Sequence, residues 1–413
     1  MSVSAPLACR ACGAPLELVL ADLGASPLAN SYLAAEQLRQ GELFLPLTVY
    51  VCERCWLAQL PESASPQEIF SDYAYFSSFS DTWLAHAEHY VTAMCARFGF
   101  GPRHQVVEIA SNDGYLLRFF RERGVPVLGI EPAANVAAAA TAIGIETLVR
   151  FFDEPMAREL VAAGRRADLI VGNNVLAHVP DLDGFVAGLA LLLAPTGIVT
   201  LEFPHLVRLI AENQFDTIYH EHFSYFSLAA VERVFAAHGL ALFDVEELTT
   251  HGGSLRVYLQ HAASGAQPVA ARVGELLASE RALGVESRDY YLAFAERVRA
   301  TKWRLLDFLL AAKRAGETIV GYGAPAKGNT LLNYCGVRSD FLDYTVDRSP
   351  HKQGRFLPGT RIPIHAPERV FATRPDYLLI LPWNLRDEIM EQMAGIRAWG
   401  GRFVVAIPDV QVL

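Results

Sequence analysis

Three things are missing from this chain of 413 residues. It has no long apolar run. The longest, near Phe185 to Ala194, contains a glycine and is too short to span a bilayer, so no membrane partner is expected. Its opening residues, MSVSAPLACRACG, lack a basic stretch followed by an apolar one, so no secretory signal is expected and a cytoplasmic location is the default. Positive charge is scarce: 35 Lys and Arg stand against 45 Asp and Glu, a net charge of -10. That balance argues against a broad nucleic-acid surface, although a few local basic side chains would still suffice for an anionic small ligand. There is no short-period repeat and no low-complexity linker. With 52% hydrophobic and 19% charged residues, the composition is globular and the length suits about two or three domains.

Cysteine is also sparse, and four of the six are paired as Cys9-x-x-Cys12 and Cys52-x-x-Cys55. In a reducing compartment this spacing favours a metal over disulfides. Four thiolates close a tetrahedral zinc site with no open position, which makes its role structural. The 39 intervening residues are long for a zinc ribbon, but loop-closure entropy grows slowly with length. Cys95 and Cys335 read as ordinary buried thiols.

Three segments follow from the patterning. Residues 1–75 are loop-rich, with short strand-like runs such as Leu47 to Val51. Residues 76–262 open with a helix over Asp81 to Phe98. They continue as VVEIA, VLGIE, ADLIVGNN and GIVTLEFP strands separated by helices, the signature of a parallel doubly wound α/β sheet. Residues 263–413 begin with charged helices over 270–315 and return to the same alternation in ETIVGYG, FLDYTVD, DYLLILP and GRFVVAIP. The second and third segments thus look like two α/β units of similar plan.

The first strand-to-helix turn runs Glu108-Ile-Ala110-Ser-Asn112-Asp113-Gly114. It is not the GxGxxG of dinucleotide binders, but it lets a ligand approach a helix N-terminus. Glu131, ending the next strand, can accept hydrogen bonds from both ribose hydroxyls of an adenosine cofactor. Asn173 and Asn174 end a further strand, and a loop with His178 follows. This order suits S-adenosylmethionine (SAM). The densest chemical cluster is FDTIYHEHFSYFS, where Tyr219, His220, Glu221 and His222 are consecutive. Four titratable groups beside apolar Phe residues are costly to bury unpartnered, and they are the parts needed for proton abstraction beside a carbonyl. In an extended run Tyr219 and Glu221 would face one way and the two histidines the other; an irregular loop need not obey this. The THGGSLR run, with His251 and Arg256, is a second polar stretch. A second Gly-turn, Gly321 to Thr330, offers Lys327 and Asn329. With Arg348, Lys352 and Arg355 downstream it reads as a diphosphate or nucleotide contact, though not as a Walker A loop.

These motifs resemble the bacterial sugar C-methyltransferases of deoxysugar biosynthesis, such as the tetronitrose and mycarose C-3-methyltransferases. The match rests on the paired CxxC motifs, DYAYFSSFSDTW, EIASNDGYLL, GIEPAANVA, GNNVLAHVPDL, EFPHL, FDTIYHEHFSYFS, THGGSLRVY, GYGAPAKGNTLLNYCG, VDRSPHKQGRFLPGT and LILPWNLRDEI. The resemblance implies an N-terminal zinc domain, a central class I SAM methyltransferase domain of Rossmann-like fold and a C-terminal Rossmann-like domain. It implies a dTDP-4-keto-deoxysugar substrate methylated at C-3, with His222 as base, Tyr219 and Glu221 assisting, His178 nearby and Tyr73 as a sugar contact. The 4-keto group acidifies the C-3 proton, a neutral His222 removes it, and His178 or Tyr219 steadies the enolate oxygen. Rival readings are an NAD-dependent nucleotide-sugar oxidoreductase, a C-methyltransferase on a non-sugar ketone, and a non-catalytic zinc- and SAM-binding protein. The single-Gly first turn and the APTG segment argue against the oxidoreductase, and the YHEH cluster against the binding protein. Oligomeric state stays open, with a monomer as one expectation.

Overall fold

The computed structural model describes residues 7–70 and 76–413. The chain forms two compact units and enters each more than once. One holds the chain up to Leu16, Cys52–His205 and Phe223–Glu286; the other holds Glu17–Val51, Leu206–His222 and Ser287–Leu413. The three-segment reading followed the order of residues, whereas these units follow which residues pack together. Residues 17–51 and 206–222 go over to the second unit, and residues 263–286, read as the start of the third segment, stay with the first.

The first unit is built on a seven-stranded sheet. Its spatial order is Thr147–Leu148, Val127–Ile130, Val106–Ile109, Ala167–Asn173, Leu193–Pro204, Ser254–His261 and Leu240–Leu248. The first five are parallel. Ser254–His261 runs antiparallel to both its neighbours. This antiparallel pair was not read from the sequence. Its cause is the short link through Thr250–Gly252, which can close a hairpin but is far too short for a parallel crossover. The parallel strands are apolar on both faces because helices cover both. Glu154–Ala162 and Leu182–Leu192 start where Asp153 and Asp181 accept the N–H groups of Met156 and Gly184. The expected helix Asp81–Phe98 is present with those bounds. Ser80 caps it, left-handed Gly99 ends it, and it buries Ala87, Tyr90, Val91 and Met94 at helical spacing. That face joins Phe120, Leu116, Phe243 and Tyr258 in one core.

The second unit carries a six-stranded sheet ordered Ile364–His365, Thr345–Val346, Ile319–Tyr322, Tyr377–Ile380, Arg402–Val405 and Gln411–Val412. All are parallel except the last. Val320, Leu378, Ile380, Phe403 and Val405 form its core with Ile389 and Ile396. An antiparallel pair, Leu18–Ser26 with Leu45–Val51, lies against the long helix Arg288–Arg314. Leu18–Ser26 falls in the stretch read as loop-rich; its irregular alternation and two register shifts hide the period-2 signal. Among the described residues no helix is long and apolar enough to cross a membrane.

Candidate active site

The four cysteines come together first. All four sulfurs lie within 4.8 Å of one another, and the closest pairs, Cys9–Cys55 and Cys12–Cys52, are at 3.5 Å. That is far beyond a disulfide bond and brackets the edge of about 3.8 Å that zinc–sulfur bonds of ~2.3 Å require. The two knuckles match in backbone. Gly13 donates its N–H to Cys9 O and Trp56 to Cys52 O, and both residues are left-handed, at φ 70 and 61. Glycine takes this conformation freely; Trp56 takes it because the turn requires it. Gln59 Nε2 donates to Cys9 Sγ at 3.1 Å, steadying a thiolate ligand from outside the set. The donors fit zinc and leave no ligand position open.

The carboxyl ends of the parallel strands hold the next group. The 110–114 turn is unusually left-handed: Ala110, Asn112 and Gly114 have φ 56, 50 and 77. Three of its N–H groups are engaged within the protein, Ser111 with Ile130 O, Asn112 with Glu131 and Gly114 with Ser111 O, and Gly114 packs closely against Ala140 and Ile145. Asn112 Oδ1 and Asp113 Oδ2 accept the N–H groups of Ser77 and Ser78, which ties the SSF segment to the turn. Ser111 Oγ and Asp113 Oδ1 are buried without a hydrogen-bond partner among the described residues, as expected of groups set aside for a ligand. Glu131 ends its strand with one oxygen accepting Asn112 N–H and the other Ala133 N–H, both at 2.9 Å; each oxygen keeps a further lone pair. Burial raises its pKa, and burial raises that of Glu108 much more. Asn173 reaches Tyr115 OH at 3.4 Å, and left-handed Asn174 meets His251 Nε2 at 3.2 Å. His178 lies in the short helix Leu176–His178 just beyond.

Beside this turn is a buried network that the sequence reading did not assemble. Glu202, opposite Asn173 in the sheet, bonds His86 Nε2 at 2.9 Å, Arg256 Nη2 at 2.7 Å and Thr250 Oγ1 at 2.9 Å. Burial alone would raise its pKa; His86 and Arg256 outweigh that and hold it down to about 2. His86 stacks on Trp83, which also faces Tyr115 and His251.

The YHEH cluster lies in the second unit. Its backbone is a short helix, Phe215–Thr217, followed by a turn, so the alternation of an extended run does not apply. Tyr219 and His222 face each other, ring centroids 4.1 Å apart. His222 Nδ1 lies 2.8 Å from Thr217 O. A carbonyl can only accept, so Nδ1 carries the proton and the neutral ring has its basic lone pair on Nε2. His220 turns to the carbonyls of Leu45 and Pro46, and burial lowers its pKa. Glu221 turns to Asn30 Nδ2 at 2.6 Å, and burial pushes its pKa up to about 7. Two further bonds fasten the loop. Thr330 Oγ1 donates to Ile218 O, and Trp383 Nε1 donates to buried Asp216 at 2.8 Å.

A curated relative, C-methyltransferase NovU of Streptomyces niveus, is 40% identical over 408 residues, covering 98% of this chain and 96% of that one. The chain belongs to the C-methyltransferase family. Its parts match three family models: a zinc binding domain over residues 9–70, a methyltransferase domain over 83–245 and a C-methyltransferase C-terminal domain over 249–408. A ubiquinone biosynthesis O-methyltransferase of Rhodopseudomonas palustris (strain TIE-1) is 31% identical over 24% of this chain and 38% of its own. The SAM-bound magnesium protoporphyrin IX methyltransferase of Synechocystis PCC 6803 aligns with 47% of this chain and 88% of its own, at 15% identity and a TM-score of 0.34.

This C-methyltransferase is thus a SAM-dependent enzyme of class I fold with a zinc-binding domain. The expected cofactor residues Glu108, Ala110, Asn112, Asp113, Gly114, Glu131, Asn173 and Asn174 gather at one end of the seven-stranded sheet. The expected diphosphate contacts are less uniform. Arg348 is exposed, 3.7 Å from Glu388. Lys352 turns inward to Ala324 O at 2.9 Å. Lys327 lies over the Trp383 ring and bonds Asn384, and burial lowers its pKa against the pull of Asp216. Asn329 is buried, its amide donating to Ala29 O, because it sits on the inner face of the helix Ala326–Cys335. Tyr73 lies outside the described residues. Sequence reasoning missed Asn30, Asp216 and Trp383; the NSY and PWN runs were the signals available.

Proposed function

We propose that this enzyme methylates C-3 of a dTDP-4-keto-deoxysugar, the carbon beside the ketone, through an enolate. The observation that carries the reading is the His222 Nδ1 bond to Thr217 O, which sets the tautomer of a general base. His222 Nε2 takes the C-3 proton, and the electron pair left behind is delocalised onto the ketone oxygen. Tyr219, ring to ring with His222, offers a phenol O–H for that oxygen, and Glu221 offers an un-ionised carboxyl; His178 is a further donor candidate. When bound, SAM supplies a methyl group that is electrophilic at carbon. The 110–114 turn, Glu131 and the Asn173–Asn174 strand end would hold it, with the ribose on Glu131. Arg348 and Lys352, near the second Gly-turn, are candidates for the diphosphate, and Tyr73 for the sugar.

The test uses purified enzyme, SAM and a dTDP-4-keto-2,6-dideoxy sugar in deuterated buffer, read by mass spectrometry. The expected result is a gain of one methyl, lost in His222→Asn. Deuterium uptake beside the ketone without methyl gain would keep the base and discard this substrate. A sugar left untouched by an enzyme that still binds SAM would overturn the proposal.

A further inference from the structure

Glu221 stands between two histidines in sequence yet is held by neither. Its Oε1 takes the amide N–H of Asn30, which comes 191 residues earlier, from the loop after Leu18–Ser26. At 2.6 Å this is a short bond for an amide donor, and Glu221 is only 4% exposed. Asn30 is itself held. Its Oδ1 lies 3.3 Å from Tyr32 OH, and Tyr32 OH bonds Ala324 O at 2.5 Å. Lys352 Nζ meets the same carbonyl at 2.9 Å and sits over the Tyr32 ring. Tyr32 has one proton and gives it to the closer Ala324 O, so Tyr32 links the second Gly-turn to Asn30 by contact, and Asn30 reaches Glu221 by its amide N–H.

The charges around Glu221 are spoken for. Lys352, on the 347–355 segment, is occupied by Ala324 O and stands 3.8 Å from Asp347. Tyr32 is buried, and burial raises its pKa. On the loop itself His220 faces the Leu45 and Pro46 carbonyls, while Tyr219 and His222 face each other. Among the described residues Glu221 thus has an amide for a partner and no cation. Glu202, buried to the same degree but beside Arg256 and His86, shows what a cation would have done.

We propose that Asn30 is a positioning residue for the reaction: by occupying Oε1 of Glu221, it leaves the second oxygen to carry the proton and, as a carboxylic acid, to donate a hydrogen bond to the ketone oxygen while the enolate forms. This rests on the ketone chemistry proposed above. The balance is simple. The C–H bond breaks, its proton goes to His222 Nε2 and its electron pair becomes the enolate double bond. The carbonyl π pair moves onto the oxygen that Glu221 hydrogen-bonds. That pair re-forms the ketone as the enolate double-bond pair makes the bond to the methyl carbon; the sulfur–methyl bond of SAM would break with its pair left on sulfur, and Glu221 keeps its proton throughout. Nothing is oxidised or reduced.

The test is Asn30→Leu made in the wild-type and in the Glu221→Gln backgrounds, with SAM affinity and zinc content as checks that each protein is folded. Asn30 acting through Glu221 predicts a fall in kcat of about tenfold to a hundredfold in the wild-type background, with KM changed little, and under about twofold in Glu221→Gln. An equal loss in both backgrounds would make Asn30 merely structural and overturn the proposal, as would no loss in either. A second arm needs no substrate. The upper end of the pH range over which the wild type loses stability relative to Glu221→Gln moves up in Asn30→Leu, because the ionised carboxylate has lost the Asn30 donor. An unmoved pH overturns the coupling. Failure of the keto-sugar reading is seen separately, as a wild type that binds SAM but neither exchanges nor methylates that sugar.

Discussion

Two buried glutamates have their pKa values moved in opposite directions, and their partners decide it. Glu202 has Arg256 and His86 and stays ionised; Glu221 has one amide and titrates near 7. A carboxyl whose pKa is raised on folding binds its proton more tightly in the folded chain than in the unfolded one. Its contribution is therefore fully present below the ordinary carboxylate range, near 4.5, and is lost as pH rises through 7. Glutamine cannot ionise, so the wild type should be at its best against Glu221→Gln at about pH 4.5 and below, and lose ground as pH rises from there to about 7. Chemical denaturation of both proteins at each pH checks this, and a constant difference would mean that Glu221 is already charged at pH 6. The cluster was legible at this scale, since Tyr219, His220, Glu221 and His222 are consecutive in the chain, while the choice of His222 as its base came from the family resemblance. Asn30 was not: no local pattern links residues 191 apart, and an asparagine in a polar loop is unremarked until the fold gives it a partner.

At the scale of elements, local periodicity served where packing agreed with it. Asp81–Phe98 and the alternating strands of 106–204 follow their apolar spacing. The spacing failed where tertiary partners decide. Leu240–Leu248 and Ser254–His261 are a hairpin because of the link between them, and Phe215–Thr217 coils because Trp383 and Thr330 hold that loop. The helix Leu228–Ala236 shows such a partner at work. Ser227 caps it, and Glu280, from Ala271–Leu283, accepts the N–H groups of Leu228 and Ala229 at 2.8 and 2.9 Å. The same carboxylate bonds His205 Nε2 at 2.8 Å, and both side chains are buried. A negative charge at a helix N-terminus is favourable, and three donors compensate its burial. Glu280→Ala would leave two N–H groups and an imidazole buried without that acceptor. The expected cost is about 3–5 kcal/mol, seen as a lower midpoint in urea. A loss under ~1 kcal/mol would mean that water replaces the carboxylate.

At the scale of the whole molecule, the zinc knuckles have a place that their spacing only hinted at. The 39 residues between Cys12 and Cys52 looked merely long. In the structure most of them, Glu17–Val51, leave the unit that holds all four cysteines and form part of the other. The knuckles close the two ends of that excursion, and the excursion carries Asn30 and Tyr32. A closed site with four sulfurs offers no chemistry to a substrate, but it shortens the loop that the unfolded chain would explore. Stripping zinc with a chelator at neutral pH should therefore do two separable things. The thermal midpoint should fall by several degrees, with new proteolytic cuts in residues 9–60. Methylation should fall with it, because the segment that presents Asn30 to Glu221 is released at both ends. SAM affinity should hold within about threefold, since the 110–114 turn, Glu131 and Asn173 stand on the seven-stranded sheet and take nothing from the cysteines. Metal analysis before and after, calorimetric SAM binding and turnover on one preparation settle the question. Metal-free enzyme with unchanged midpoint and rate would show that the four thiols need no ion, and SAM binding lost in step with zinc would show that the knuckles support the sheet rather than the excursion.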